Sequence, residues 1–160
     1  MPQPPSAASV RITQVRPACV GSPERFATIS MASFTSCFWP SRLSAPGGSA
    51  LATTEHFLAI WRGVLTQSTC ESGCAVLAVV VATDSPDLLR HAAEVFRLWR
   101  GRLGELLEQG GLAKKDVRRF ATVLIAAAEG TVVMSRAEQD IEPFETVARQ
   151  LVEQARALAD

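Results

Sequence analysis

The chain has 160 residues with 16 basic and 16 acidic side chains and a formal net charge of zero, so no global basic excess points to nucleic acid and no acidic excess to a solvating tail. Its 48% hydrophobic and 20% charged composition is that of a soluble globular protein with room for one ordinary domain, or a smaller one with a tail. Four cysteines, Cys19, Cys37, Cys70 and Cys74, follow an N-terminus, MPQPPSAAS, that has neither a basic n-region nor an apolar h-region, and reduced thiols in a cytoplasm are the simplest expectation.

Residues 1–49 differ in kind from the rest. They hold seven of the nine prolines, many Ser, Thr and Ala residues, and almost no acid beyond Glu24. Val10 to Val15 alternates well enough for a short strand, and Met31 to Trp39 reads as a strand or a collapsed apolar patch. Pro40 and the Ala45-Pro46-Gly47-Gly48-Ser49 cluster mark a boundary. The segment is expected to be mostly irregular, with a helical domain over 50–160.

Leu51, Phe57, Leu58, Trp61, Val64 and Leu65 recur at helical spacing between Ala50 and Gln67. Thr53 or Thr54 could cap this helix, or Ser49 if it starts earlier. Gly63 inside it costs about 1 kcal/mol relative to Ala, which predicts something packed close to that face. A polar turn ending in Gly73 follows. Cys74 to Ala82, CAVLAVVVA, has enough β-branched residues for a strand but no partner strand in the domain, and a short buried helix is expected.

Asp84-Ser85-Pro86-Asp87 is a helix start: a capping Asp or Ser, Pro in the first turn, and an acid at the positive end of the dipole. The helix runs to about Gln109, with Leu88, Leu89, Ala92, Val95, Phe96, Trp99, Leu103, Leu106 and Leu107 on one face. Arg90, Arg97, Arg100 and Arg102 on the other side are offset by Glu94, Glu105 and Glu108, which makes a solvated face rather than a phosphate-tracking stripe. Gly110-Gly111 ends it. A central helix runs from Lys114 to near Asp140, and Pro143 opens a last one with a Phe144, Val147, Ala148, Leu151, Val152, Ala155 and Leu158 stripe. Four long helices and one short one predict an antiparallel bundle.

Within the central helix, Phe120 to Met134 is interrupted only by Thr122, Glu129 and Thr131. The run is shorter than the roughly twenty residues that cross a bilayer, and it carries a carboxylate. A helix apolar almost all round is buried on two sides. One side can pack on the chain's own core, and a second copy of the chain is the natural partner for the other.

Gly73-Cys74, Ser85-Pro86-Asp87, Phe96-Arg97-Leu98-Trp99-Arg100, Gly110-Gly111-Leu112, Ala126-Ala127-Ala128-Glu129-Gly130 and Ser135-Arg136-Ala137 form a spaced series. Over roughly residues 50 to 160 the chain thereby resembles the C-terminal ligand-binding and dimerisation domain of tetracycline-repressor (TetR) family transcriptional regulators, in the branch typified by LmrA and YxaF. The resemblance implies an all-α bundle that pairs through its last two helices and holds a small apolar or aromatic effector among the preceding ones. It gives Phe120, Leu124, Ala127, Thr131, Phe144, Val147 and Leu151 as dimer-interface candidates. Such regulators carry an N-terminal helix-turn-helix that enters the major groove. Residues 1–49 show no helical period, no capped pair of short helices and no aromatic-rich recognition segment. The expectation is a cytoplasmic homodimer that reaches DNA only through a missing or partner-supplied head. The alternative is a helical homodimeric interaction module with no ligand.

Phe57, Trp61, Phe96 and Trp99 lie on facing stripes, as plain core or as the wall of an effector pocket. Cys74 heads an apolar segment, where free Cys acts as a small hydrophobe, and it joins the pocket candidates. Two His in the chain and the isolated Cys70 and Cys74 fall short of a metal site, so no metal and no cofactor are expected. No nucleophile elbow, phosphate loop or acid-base pair points to an enzyme. Glu129 is the sharpest residue: a carboxylate in an apolar run must be paired, hydrogen-bonded or protonated if buried. It could face the pocket, pair with Arg136 or Arg119 at a dimer seam, or sit at a solvent-filled gap. Gly130 and Ala126 make a small-residue notch beside it.

Overall fold

The computed structural model describes residues 48–71 and 73–159. The expected strand at 10–15, the patch at 31–39, Cys19 and Cys37 lie outside the described residues. Every regular element among the described residues is a helix: α1 Ala50–Gln67, α2 Ala75–Ala82, α3 Pro86–Gln109, α4 Lys114–Glu138 and α5 Glu142–Ala159. The links 110–113 and 139–141 are too short for anything but an antiparallel return, so α3, α4 and α5 each pack against the next. Helix α1 packs against all three, and α2 packs mainly on α3.

Ser49 is the residue that starts α1. Its hydroxyl accepts the Ala52 N–H at 3.2 Å, satisfying one of the donors a helix leaves open in its first turn. Thr53 and Thr54 are buried one turn further in, and the Thr54 hydroxyl donates to the Ala50 carbonyl at 2.9 Å instead. The close neighbour expected at Gly63 is not there: a Cβ at that position would meet only Gln67 Nε2, at 3.9 Å. Nothing in the structure explains Gly63.

Helix α2 corrects a second expectation. Of its eight residues only Val76 is buried, and Val81 is 77% exposed. An element this short has little more than two turns to offer, and with α3 as its main support most of its Val and Ala side chains face outward. The Cys74 sulfur caps it, accepting the Leu77 N–H at 3.4 Å.

In α3 the buried stripe is Ala92, Val95, Trp99, Leu103, Leu106 and Leu107, while Leu88 and Leu89 of the first turn are 44% and 39% exposed. Gly104 lets α4 come close: a Cβ there would stand 3.1 Å from Val117 Cγ1. Gly111 takes a φ of +95° to turn the chain, and Leu112 N–H closes the end on the Leu107 carbonyl at 3.0 Å. Gln139 does the same for α4 at φ +55°, a left-handed conformation that a non-glycine residue rarely adopts. Asp140 then accepts the Glu142 N–H at 3.0 Å and starts α5.

The core is continuous, with Phe57, Leu58, Leu65, Leu103, Leu107, Phe120, Leu124, Val132 and Phe144 essentially out of solvent. Helix α4 is long and apolar enough to cross a membrane by length and composition, but half of that stretch is buried in protein, as expected of a bundle's central helix. Two polar contacts brace α1. Arg62 grips Glu145 of α5 with two parallel bonds of 2.5 and 2.8 Å and lies 5.7 Å from the centre of the Phe144 ring. Both partners keep solvent contact, so the bridge contributes under about 1 kcal/mol and serves mainly to fix register. At the other end the Ala50 N–H donates to the Gly110 carbonyl at 2.8 Å.

That contact makes Gly110 irreplaceable. A Cβ on it would lie 2.4 Å from the Ala50 nitrogen and 2.7 Å from the Ser49 carbonyl carbon, both backbone atoms that cannot rotate away. Gly110→Ala is expected to destabilise by about 1–3 kcal/mol, the ordinary cost of overpacking. Gly63→Ala, made into open space in a helix, should stabilise by about 1 kcal/mol. Urea unfolding followed by helical circular dichroism checks both signs.

Candidate functional site

Helices α1, α3 and α4 leave a narrow gap where they converge. Its lining is Phe57 and Trp61 from α1, Trp99 from α3, and Ile125 and Glu129 from α4, packed so closely that no water-sized space remains between them. Helical spacing produces this set: Phe57 and Trp61 are four apart, as are Ile125 and Glu129, so each pair stacks on one face of its helix. Of the pocket residues expected from sequence, Phe57, Trp61, Trp99 and Glu129 meet here. Phe96 stands behind the wall, its ring edge-on to Trp99 with centroids 5.5 Å apart at 84°. Ile125 lines the gap too, and one more aliphatic side chain in the Phe120 to Met134 run carried no signal of its own.

Glu129 is the single charged side chain of that lining. It is 6% exposed, and neither carboxyl oxygen has a hydrogen-bond partner. Burial pushes its pKa up to about 7 from the ordinary 4.5. The Cys74 thiol, brought alongside at the α2 N-terminus, opposes the rise without meeting the geometry of a full hydrogen bond. Burial and the nearby Glu129 charge push the Cys74 thiol in turn well above its usual range, which keeps the sulfur protonated and unreactive as a nucleophile. Arg136 does not reach Glu129: its side chain lies over Gly73, whose Cβ position would be 3.3 Å from Arg136 Cδ. Arg119 pairs with Asp116 on the surface at 3.0 Å. Among the described residues no three His, Cys, Asp or Glu side chains converge as a metal site would require.

The dimer candidates fall into two groups. Phe120, Leu124, Thr131, Phe144 and Leu151 are 4% exposed or less within the single chain, so they form its core and have no surface left to offer a partner. Ala127 and Val147 are half-buried. The outward stripe of α4 is shifted round the helix: Val123, Ala126, Gly130, Val133 and Met134, all exposed, at the three- and four-residue steps of one face. At Gly130 a Cβ would meet nothing within 4 Å. The notch read from sequence is therefore on the surface.

The linkage at Glu129 has a definite sign. Its folded-state pKa lies above its unfolded one, so the folded chain holds the proton more tightly, and stability falls as pH rises from about 4.5 towards 7. Above that range the loss is complete, on the order of 3 kcal/mol for a shift of this size. Glu129→Gln should lose less stability than the parent chain between pH 5 and pH 8. Urea midpoints of the two proteins at those pH values measure the difference, and identical slopes would remove the buried carboxylate as its source.

No curated protein and no solved structure matches the chain. Residues 50–150 match the C-terminal domain of the LmrA/YxaF-like transcriptional regulators. That span runs from the first residue of α1 into α5 and takes in the gap, the buried carboxyl and the outward stripe of α4. By this match the chain belongs to the TetR-type, LmrA/YxaF-like family of transcriptional regulators.

Proposed function

We propose that residues 50–160 are the effector-binding and dimerising part of a cytoplasmic, TetR-type repressor. The observation that carries the effector half of this reading is Glu129, buried at an aromatic-walled gap with both oxygens unpartnered. A carboxyl so placed costs stability and does nothing for packing; a guest among the rings accounts for it. The gap is closed without a guest, so binding has to part α1 from α3 and α4. A guest that binds only the parted arrangement shifts the population towards it, which is the linkage a regulator needs. An interaction module without a ligand leaves Glu129 unexplained.

The pairing surface is the outward stripe of α4, Val123, Ala126, Gly130, Val133 and Met134, with the half-buried Ala127 of α4 and Val147 of α5 beside it. Phe120, Leu124, Thr131, Phe144 and Leu151 support it from behind. Small residues at its middle let two α4 helices approach closely, and the flanking Val and Met side chains supply the apolar area. In this reading DNA contact goes through a helix-turn-helix that is missing from residues 1–49 or supplied by a partner chain.

Light scattering on the purified chain should give twice its 17.2 kDa mass. Gly130→Arg should run as a monomer while its helix content holds or rises, because Arg is a better helix former than Gly by about 1 kcal/mol. A monomeric parent chain would sink the dimer. For the pocket, calorimetric titration with indole, a neutral aromatic, should show saturable binding that shrinks when Trp99→Ala removes one wall.

A further inference from the structure

Resting on that pocket reading, we infer that the guest is an aromatic cation carrying N–H donors, an amidinium or primary ammonium on a flat apolar body, held by Glu129 against the faces of Phe57, Trp61 and Trp99. Two observations converge on this class. The gap is lined by three aromatic rings, one aliphatic side chain and one carboxyl, so a neutral apolar guest would meet the rings and still leave the carboxyl unsatisfied. Neither Glu129 oxygen meets hydrogen-bond geometry with a protein donor, the Cys74 thiol alongside being only a weak one, and an acceptor pair of this kind is matched by two parallel N–H donors on a planar cation. The aromatic faces around it attract positive charge through their electron-rich centres, an attraction that strengthens where water is excluded.

The alternatives within the site are weaker. An anion would meet a carboxyl with no basic residue in the lining. A metal ion would need further oxygen, nitrogen or sulfur ligands, and no such group gathers among the described residues. Arg136, the nearest sequence candidate for an internal counter-ion, is spent on the surface over Gly73. A cation brought from outside is the partner that ends the orphaning of Glu129.

The test compares two flat molecules of nearly the same shape. Benzamidine carries the planar cation; benzamide replaces it with a neutral amide. Calorimetric titration of the full chain at pH 8 should show benzamidine binding roughly ten- to a hundredfold tighter than benzamide, the worth of a charged hydrogen-bonded pair removed from water. Glu129→Gln, checked for unchanged circular dichroism, should lose that advantage and bind both equally. Glu129→Asp, which keeps the charge but withdraws it, should fall between. If benzamide or indole binds the parent chain as tightly as benzamidine, the cation inference is overturned while the pocket reading stands. If benzamidine wins in the parent and in Glu129→Gln alike, the inference also fails, because the selectivity then lies elsewhere. If none of the three molecules binds, both the inference and the pocket reading fall together.

Discussion

The bundle depends on how α4 is enclosed. With α3 on one flank, α5 on the other and α1 across them, α4 buries Phe120, Ala121, Leu124, Ile125, Ala128 and Val132, and each large apolar side chain removed from water is worth about 1.5–3 kcal/mol. Three neighbours cannot cover the whole circumference of a helix. The part left over is the Val123 to Met134 stripe, whose direction is set by where the other three helices sit. The same enclosure carries Glu129 inward, because it stands four residues after Ile125 and must point where Ile125 points. The closed gap and the open stripe are thus two faces of one helix, fixed by a single packing solution.

Against this, Glu129 is a local expense. Two unsatisfied oxygens in a nearly dry site are what core packing ordinarily excludes, and the pKa of about 7 records how far the protein must go to keep the group neutral. Cys74 contributes a thiol from the loop between α1 and α2, a weak donor that softens the cost without removing it. A Leu at 129 would have packed as well as Ile125 does. The carboxyl does not help to hold the fold together.

Much of this was legible in the residues. Ser85-Pro86-Asp87 and Gly110-Gly111 bounded α3, the Pro143 region bounded α5, and the polar interruption at 129 in an apolar run marked the one side chain with chemistry to explain. What could not be read was which apolar residues face which neighbour. Phe120 and Leu124 are as hydrophobic as Val123 and Met134, so periodicity alone could not separate core from outer stripe; only the placing of α1, α3 and α5 around α4 decides it. Composition misled at α2, where an unbroken run of Ala, Val and Leu reads as core although eight residues resting mainly on α3 leave most of themselves in water. At the start of α1 three hydroxyl residues offered a cap on paper, and the choice of Ser49 goes with the contact that Ala50 makes to Gly110, far along the chain. Gly63 shows the opposite failure, a glycine that promised a close neighbour and has none.

The Ala50 to Gly110 contact reaches beyond stability. The backbone of α1's first residue is bonded to the end of α3 with no side chain between them. On the proposed effector reading, a parting of α1 from α3 beside Trp61 and Trp99 would pivot about this end, and the other end of α1 would swing against α5, where Arg62 holds Glu145.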